Sequence, residues 1–349
     1  MIMQSDSAKE ASSEMTEFVD APAWVAPALE FADAALRDHP PACPPPTARQ
    51  EALMILDGPL HLEAAPRFRG VYEFFERRMR RAIKEIEESA VTSGTRIWRL
   101  YNHGFVVRTP SVTLGMDLVR GWLLPGSGGV RRGIADDLAA RLADQIDVMT
   151  LSHNHADHVD PAMCELLFER GVPVVAAPDI LLNITGQPLL SRPERVTRVP
   201  AAGVGDADLH RLRPLRLARG KEIECVVYPG HQGDAIPNNV YLFRTGEGCA
   251  VAHTGDQHDE PDLEWIDRIG DHHDVDVLLV NCWTNDMRRM VSGVRPRLTV
   301  TGHELEMSHG PDHREAYWRS FQIFRDGAVS PSLVMGWGES FDYVDGAIC

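Results

Sequence analysis

Residues 151–158, with the sequence LSHNHADH, concentrate three histidines and one aspartate directly after the apolar-rich run IDVMTLS. That run predicts a buried strand. On an extended segment His153 and His155 point the same way, so two imidazoles can reach one metal ion. Asp157 and His158 follow at once, where they could serve a second ion. The alternative, a polar loop with surface histidines, does not explain why the cluster follows a core strand. The nitrogen and oxygen ligands suit zinc and are also used by iron and manganese.

Further candidate ligands stand after three later apolar runs. His231 follows VVYPG, Asp256 follows CAVAHTG and His303 follows LTVTG. A single histidine after a strand is more often a structural residue than a ligand, so the recurrence of strand, small residue and then His or Asp is what indicates a shared site. His309, in EMSHG, is the alternative to His303 as the last ligand. We favour His303 because it directly ends the strand-like RLTVTG.

The elements that would position these groups are short strands with interspersed helices. Apolar periodicity predicts an amphipathic helix over residues 67–89 and a helix over 133–145, with others near 260–269 and 312–325. Apolar runs between turn signals predict strands at TRIWRLYN, FVVRT, SVTLGMDL, DVMTLS, VPVVAA, IECVVY, NVYLFRT, CAVAHT, VDVLLVNC and RLTVTG. This pattern indicates two sheets covered by helices.

The motif HNHADH, followed by GH, TGD and a final GH, resembles the metallo-β-lactamase superfamily over about residues 95–345. The block GHQG…NNVYLF…AHTGD is most similar to the ascorbate-6-phosphate lactonase-like branch. The resemblance implies an α+β fold, an αββα sandwich with its site at one edge where the two sheets meet. It also implies two metal sites, formed by His153, His155 and His231 for one ion and by Asp157, His158 and His303 for the other, with Asp256 as the bridge.

Two divalent ions in such a site, zinc in the first place and iron or manganese as alternatives, would lower the pKa of a shared water so that a metal-bound hydroxide attacks at neutral pH. Asp157 and Asp256 are the candidate catalytic carboxylates, and Asp157 can orient the hydroxide and pass on its proton. We therefore expect a dinuclear metal-dependent hydrolase of a small ester, lactone or phosphodiester. The alternative is an oxygen-activating diiron oxidoreductase, since aspartate oxygens also suit iron. A metal-dependent nuclease is the less favoured third candidate.

Four other residues are candidates for the substrate pocket or for groups behind the ligands. Trp283 could cover an apolar part of the substrate and Arg288 could meet an anion, although a purely structural loop explains NCWTNDMRR equally well. His258 lies two positions past Asp256 and could assist proton transfer. His309 joins them as the residue left over if His303 is the ligand.

The composition limits the partners of the chain. Its 35 basic and 51 acidic residues give a net charge of −16, which disfavours nucleic acid because duplex binding relies on Lys and Arg. The expected partner is a small-molecule substrate, and a homo-oligomer is compatible with the composition. Six scattered cysteines without a CxxC pair and the lack of a secretory signal predict a cytoplasmic protein. No apolar run approaches the roughly 20 residues of a membrane span.

The chain divides into three predicted regions. Residues 1–50 should form a flexible or extended arm, because HPPACPPPT is stiff and breaks helices. Residues 51–94 should form a helical extension, and residues 95–349 the metallo-β-lactamase-like domain. On this division, deletion of residues 1–50 should leave the metal content unchanged.

Overall fold

The structure, a computed structural model, describes residues 17–182, 187–217, 220–233, 236–327 and 330–344. The ends of the predicted arm and domain, residues 1–16 and 345–349, lie outside the described residues. Within the described residues, sixteen strands form two seven-stranded sheets and one two-stranded sheet. Each large sheet joins an antiparallel part to a parallel part, as expected for a mixed α+β chain.

The first large sheet has the strand order β16-β1-β2-β3-β6-β7-β8. Its strands are β1 (Thr95–Arg99), β2 (Phe105–Arg108), β3 (Thr113–Met116), β6 (Val148–Leu151), β7 (Val174–Ala176), β8 (Thr197–Arg198) and β16 (Glu339–Tyr343). The strands β3, β6, β7 and β8 run parallel to one another. The small sheet pairs β4 (Gly121–Leu123) with β5 (Arg131–Gly133).

The second large sheet has the order β15-β14-β13-β12-β11-β10-β9. Its strands are β9 (Arg213–Arg216), β10 (Glu222–His231), β11 (Pro237–Arg244), β12 (Ala250–His253), β13 (Val277–Asn281), β14 (Leu298–Gly302) and β15 (Ser332–Val334). Here β12 to β15 form the parallel part. Every strand predicted from an apolar run is present, within a few residues of its predicted ends.

Helices cover the outer face of each large sheet. They are α1 (Val25–Asp38), α2 (Thr47–Leu60), α3 (Arg69–Glu88), α4 (Asp136–Gln145), α5 (Pro161–Glu169), α6 (Leu263–Ile266), α7 (Ile269–His272), α8 (Met287–Val294) and α9 (Tyr317–Gly327). The helix predicted over residues 67–89 is α3, whose buried residues include Val71, Phe75, Met79 and Ile83. Their spacing of three or four residues places them on one face of the helix.

Three buried clusters establish the layering. Consecutive residues of β1 belong to different clusters, because Ile97 faces the second sheet while Trp98 faces the outer helices. The cluster between the sheets joins Ile97 and Met116 of the first sheet to Tyr241 and Val277 of the second. A further cluster packs the other face of the second sheet on α6, α7 and α8. The predicted αββα sandwich is therefore confirmed.

The prediction of a flexible or extended arm over residues 1–50 is wrong for residues 25 onward. Helices α1 and α2 bury Leu29, Ala32 and Leu53 in the same cluster as Trp98 of β1. The prolines that suggested an arm fall in the turn between these two helices, and Pro46 immediately precedes α2. Proline breaks a helix interior but is tolerated at its start, so the proline-rich segment separates two helices without excluding either.

Other sequence expectations meet the structure only in part. No helix within the described residues is both long and apolar enough to cross a membrane. The five described cysteines form no disulfide, and Cys349 lies outside the described residues. The predicted cytoplasmic location and the boundary between residues 94 and 95 remain predictions.

Candidate metal centre

The candidate ligands come together because the parallel strands of both sheets end at one edge of the sandwich. The loop 152–158 follows β6, Asp256 follows β12 and His303 follows β14. Gly255 permits the close approach of two of these strand ends. It has a φ of +53°, and a Cβ atom there would lie 2.4 Å from the Cβ of Ser152. Any larger residue would push Asp256 away from the histidine loop.

Three imidazole nitrogens surround one oxygen of Asp256. The distance from Asp256 Oδ2 is 3.1 Å to His158 Nε2, 3.2 Å to His303 Nε2 and 3.6 Å to His153 Nε2. Asp157 Oδ2 lies 3.3 Å from His303 Nε2 and 3.6 Å from His158 Nε2. All five side chains are buried. The structure thus brings together His153, Asp157, His158, Asp256 and His303, and the ring of His155 lies 4.7 Å from that of His153.

These residues fit a bound metal ion. Metal–ligand bonds of about 2.0–2.1 Å in tetrahedral geometry separate two ligand atoms by about 3.3 Å, close to the separations found here. His153 Nε2, His303 Nε2 and Asp256 Oδ1 are buried without a hydrogen-bond partner. Buried polar atoms normally have partners, so these unpartnered atoms fit a site that binds a cation.

The charge of the cluster supports the same conclusion. Burial alone would lower the pKa of His303, but the carboxylates of Asp256 and Asp157 outweigh it and raise that pKa to about 10. Burial and the neighbouring His158 lower the pKa of His153 to about 3. The carboxylates of Asp157 and Asp256 therefore favour a positive charge beside them, whereas His153 is neutral and keeps a lone pair that can bind a metal.

Asp117, which the sequence analysis missed, orients His158. Its Oδ2 accepts a hydrogen bond from His158 Nδ1 at 2.8 Å and from Ser152 Oγ at 2.5 Å, and its Oδ1 accepts from Ser152 N at 2.8 Å. Because the carboxylate only accepts, His158 Nδ1 donates to Asp117 and His158 Nε2 faces Asp157 and Asp256. Asp117 directly follows β3, so the strand-end reasoning that found Asp256 could have found it.

Asn102 performs a related task for Asp157 and was also missed. Its Nδ2 donates to Asp157 Oδ2 at 3.1 Å and to the Asp157 carbonyl at 3.2 Å. Asn102 has a φ of +55°, a conformation that asparagine tolerates better than most residues. The turn after β1 thereby holds Asp157 in place from the opposite side of the site.

The loop that carries His303 is strained and supported from beneath. His303 and Leu305 have φ values of +75° and +59°, which cost free energy and persist only where the surroundings impose them. Between them, the buried Glu304 pairs with Arg99 at 2.6 Å. Next in the chain, Glu306 accepts hydrogen bonds from Tyr101 Oη at 2.7 Å and from the backbone N of His309 at 2.9 Å.

His303 lies nearer the centre than its alternative, His309. Oxygen and nitrogen atoms of Asp157, Glu306 and His309 form a separate group within 4.8 Å, and the group around Asp256 contains His303 instead. The rings of His303 and His309 lie 6.1 Å apart. His309 therefore lies beside the carboxylates of Asp157 and Glu306, outside the group that contains Asp256.

His231 is less deeply placed than the other candidate ligands. Its Nδ1 donates to Asp262 Oδ2 at 3.1 Å, and its side chain is 45% exposed. A carboxylate behind Nδ1 is the arrangement that presents Nε2 to a metal. The groups of metal-binding atoms formed by the described residues do not include His231, and the neighbouring Gln232 Nε2 donates to Asp256 Oδ2 at 3.2 Å. Its role as a ligand remains a prediction.

The remaining candidates lie at different distances from the centre. Trp283, which follows β13, has its ring 5.8 Å from His303 and 5.1 Å from His258. The half-buried indole therefore lies beside the candidate ligand His303. Arg288 is exposed on α8. Its predicted contact with an anionic substrate remains untested.

Comparisons with known proteins give distant structural similarity only. No family model and no curated protein matches the chain. Among solved structures, it is similar to Igni18, a metallo hydrolase of Ignicoccus hospitalis (17% identity, TM-score 0.47, covering 72% of this chain and 100% of that one). It is also similar to CmlA, a diiron β-hydroxylase of Streptomyces venezuelae (16% identity, TM-score 0.47, covering 72% of this chain and 55% of that one). A Thermotoga maritima structure described as a Zn-dependent hydrolase of the metallo-β-lactamase superfamily also matches (13% identity, TM-score 0.35, covering 66% of this chain and 84% of that one). Similarity at this level carries no information about the reaction, and the lactonase-like branch remains a prediction.

Proposed function

We propose that the chain is a dinuclear metal-dependent hydrolase of the metallo-β-lactamase superfamily, acting on a small ester, lactone or phosphodiester. The observation that carries the proposal is the convergence of three buried imidazole nitrogens on one carboxylate oxygen of Asp256, at 3.1–3.6 Å. A structural histidine cluster would satisfy its nitrogens with protein acceptors. Here His153 Nε2, which is 3.6 Å from Asp256 Oδ2, is buried without a hydrogen-bond partner.

Each role in this proposal belongs to a particular side chain. His153, His155 and His231 would hold one ion, and His158, Asp157 and His303 the other, with Asp256 between them. Bound divalent ions would supply an activated water and polarise the substrate oxygen. Asp117 fixes the tautomer of His158, and Asn102 fixes the carboxylate of Asp157. These supports give the ligands the precision that such a site needs.

The test is metal analysis of the purified chain, with Asp256→Asn beside it. The proposal expects about two zinc ions per chain and a sharp fall in the variant. Asp276→Asn is the matched control, because Asp276 is also buried but accepts hydrogen bonds from Ala250 N and Tyr343 Oη. Zinc content that responds equally to both variants, or not at all, would contradict the proposed site. Screening of esters, lactones and phosphodiesters then follows with the zinc-loaded chain.

An oxygen-activating diiron enzyme is the second candidate, and the oxygen-rich side of the site favours it. Besides Asp157 and Asp256, the buried carboxylate of Glu306 lies in one group with Asp157 and His309. Carboxylate oxygens combined with histidine nitrogens are also a ligand set of non-haem iron. Iron retained through purification, with oxygen consumption that Asp256→Asn abolishes, would favour this candidate over the hydrolase.

A further inference from the structure

Arg99, the last residue of β1, is fully buried and joins two segments of the backbone. Its Nε and Nη2 each donate to the carbonyl of Asn102 at 3.3 Å. Nη2 also donates to the Glu304 carbonyl at 3.3 Å, and Nη1 donates to the Met335 carbonyl. Nη1 lies 2.6 Å from Glu304 Oε2 as well. One guanidinium therefore connects the turn after β1 with the loop that carries His303.

Asn102 contacts all three residues that the proposed function assigns to one of the two ions, here called the second ion. Its Nδ2 donates to Asp157 Oδ2 at 3.1 Å and lies 3.4 Å from His158 Nε2. Its carbonyl accepts from the backbone N of His303 at 3.1 Å, and Arg99 binds the same carbonyl. The position of this carbonyl therefore sets how far the His303 loop lies from Asp157.

These contacts hold a strained part of the backbone. Asn102, His303 and Leu305 have φ values of +55°, +75° and +59°, a region that residues other than glycine rarely adopt. Such conformations persist only where the surroundings impose them. Two of the carbonyls that Arg99 binds belong to Asn102 and to Glu304, which lies between His303 and Leu305. The guanidinium thus binds the backbone where it is strained.

Arginine suits this position because of the shape of its side chain. The planar guanidinium carries five N–H donors in a fixed geometry, so it can serve three carbonyls and one carboxylate at the same time. A lysine would keep the charge opposite Glu304 but would lose the two-pronged contact with Asn102. Arg99→Lys therefore separates the charge of Arg99 from its geometry.

The other ion, here called the first ion, is assigned to His153, His155 and His231. These histidines are held by different groups. Ser152 Oγ lies 3.0 Å from His153 Nδ1, and Asp262 accepts from His231 Nδ1 at 3.1 Å. Among the described residues, no hydrogen bond joins these histidines to Arg99 or to its partner Asn102. The two halves of the centre are therefore supported separately.

We propose that Arg99 is a positioning residue that assembles the second-ion half of the metal centre, while the first-ion half forms without it. Arg99 acts through the backbone of Asn102 and of Glu304 and touches neither an ion nor a substrate. The inference rests on the proposed function, because it concerns the two-ion arrangement that this function requires. It adds that the two ions differ in their dependence on one buried side chain.

The test is zinc analysis of Arg99→Lys followed by a chelator titration. The wild type should retain about two zinc ions per chain and the variant about one. The affinity for the second ion should fall about 10- to 100-fold, as for the loss of other groups that orient ligands, and the affinity for the first should not change. Arg78→Lys is the matched control, because Arg78 is also buried and binds Asp33 at 2.8 Å and the Trp337 carbonyl at 2.5 Å. This control should keep both ions, and urea unfolding verifies that each variant is folded.

Two double variants identify the ion that is lost. Addition of His155→Ala to Arg99→Lys should remove the remaining zinc, because His155 is assigned to the first ion. Addition of His303→Ala should change the zinc content little, because the ion assigned to His303 is already lost. The reverse pattern would overturn the assignment of Arg99 to the second-ion half.

Asn102→Gly supplies an independent variant if Arg99→Lys does not fold. Glycine accepts the positive φ of Asn102 and keeps the carbonyl that Arg99 binds, but it removes the amide that holds Asp157. It should therefore also retain about one zinc ion per chain.

The outcomes separate this inference from the proposed function. Wild-type affinity for both zinc ions in folded Arg99→Lys, or in Asn102→Gly where the first variant does not fold, would overturn the inference. Equal weakening of both ions would overturn it as well, because Arg99 would then support the whole centre. A wild type without metal would overturn both proposals. A wild type that holds two zinc ions but hydrolyses no ester, lactone or phosphodiester would overturn the proposed function alone, since the zinc content does not depend on turnover.

Discussion

Replacement of Arg49 by methionine should destabilise the protein strongly. The guanidinium of Arg49 is fully buried. Its Nη1 and Nη2 donate to the two carboxylate oxygens of Glu339 at 2.9 and 2.5 Å, and Nη2 also donates to the Val334 carbonyl at 2.9 Å. The pair connects α2 with β15 and β16, at opposite ends of the sequence. Arg49→Met nearly preserves the side-chain volume and removes all of these bonds.

The magnitude follows from what the substitution leaves behind. Glu339 keeps a weaker contact with Arg78 at 3.4 Å, and Arg78 is itself shared with Asp33 at 2.8 Å. Removal of one partner of a buried ion pair costs about 3–5 kcal/mol. Because Arg78 still offsets part of the charge of Glu339, we expect the lower end, about 3 kcal/mol. Arg49→Lys keeps the charge but not the two-pronged contact, so it should fall between the wild type and Arg49→Met.

The assay is urea unfolding followed by tryptophan fluorescence, with the free energy of unfolding compared between variants. Arg37→Met is the control, because Arg37 contacts Asp33 at 3.4 Å with a side chain that is 54% exposed. An exposed pair of this kind contributes about 0–1 kcal/mol. Equal losses in Arg49→Met and Arg37→Met would refute the inference that the buried pair fastens the N-terminal helices to the sandwich.

Three further predictions concern pH, metal affinity and the N-terminal helices. Burial raises the pKa of Asp57 to about 6, above its unfolded value, so the folded chain binds more protons and its stability should fall as pH rises from about 4 to about 6. The loss amounts to at most about 3 kcal/mol, and Asp57→Asn should remove this pH dependence in chemical unfolding. Asp117→Asn should weaken metal binding about 10- to 100-fold in chelator titrations, whereas Asp147→Asn should not, since Asp147 accepts from Thr113 N at the far end of β6. Deletion of residues 1–50 should lower both the melting temperature and the bound metal, because it removes α1 and Arg49. An unchanged melting temperature would show that this segment is a dispensable arm.

The sequence located most strands and the main cluster of candidate ligands. Buried strands such as β6 and β14 are short apolar runs with clear turn signals, so their periodicity is visible without any partner. The candidate ligands His153, His158 and His303 lie in the loops that follow these runs. Parallel strands bring their carboxyl ends to the same edge of a sheet, and functional sites commonly lie at that edge. Residues that directly follow predicted strands could therefore be placed at one site from the sequence.

The N-terminal helices were harder to predict because their burial depends on distant partners. Helix α1 ends before a proline-rich turn, and its apolar residues become core residues only when α2 and α3 pack against them. Arg49 offers no local signal either, since a lone arginine on a helix is usually a surface residue. Its partner Glu339 lies 290 positions away in the chain.

The amino-acid sequence by itself determined which residues can bind metal and which strands carry them, because residue type, spacing and apolar runs are local properties. Only the tertiary structure decided which groups orient them. Asp117 reaches His158 across 41 positions and Asn102 reaches Asp157 across 55, and both contacts exist only because β1, β3 and β6 lie in one sheet. Hydrogen bonds act over about 3 Å, so the partners of a side chain are fixed by the fold and cannot be derived from the order of the chain.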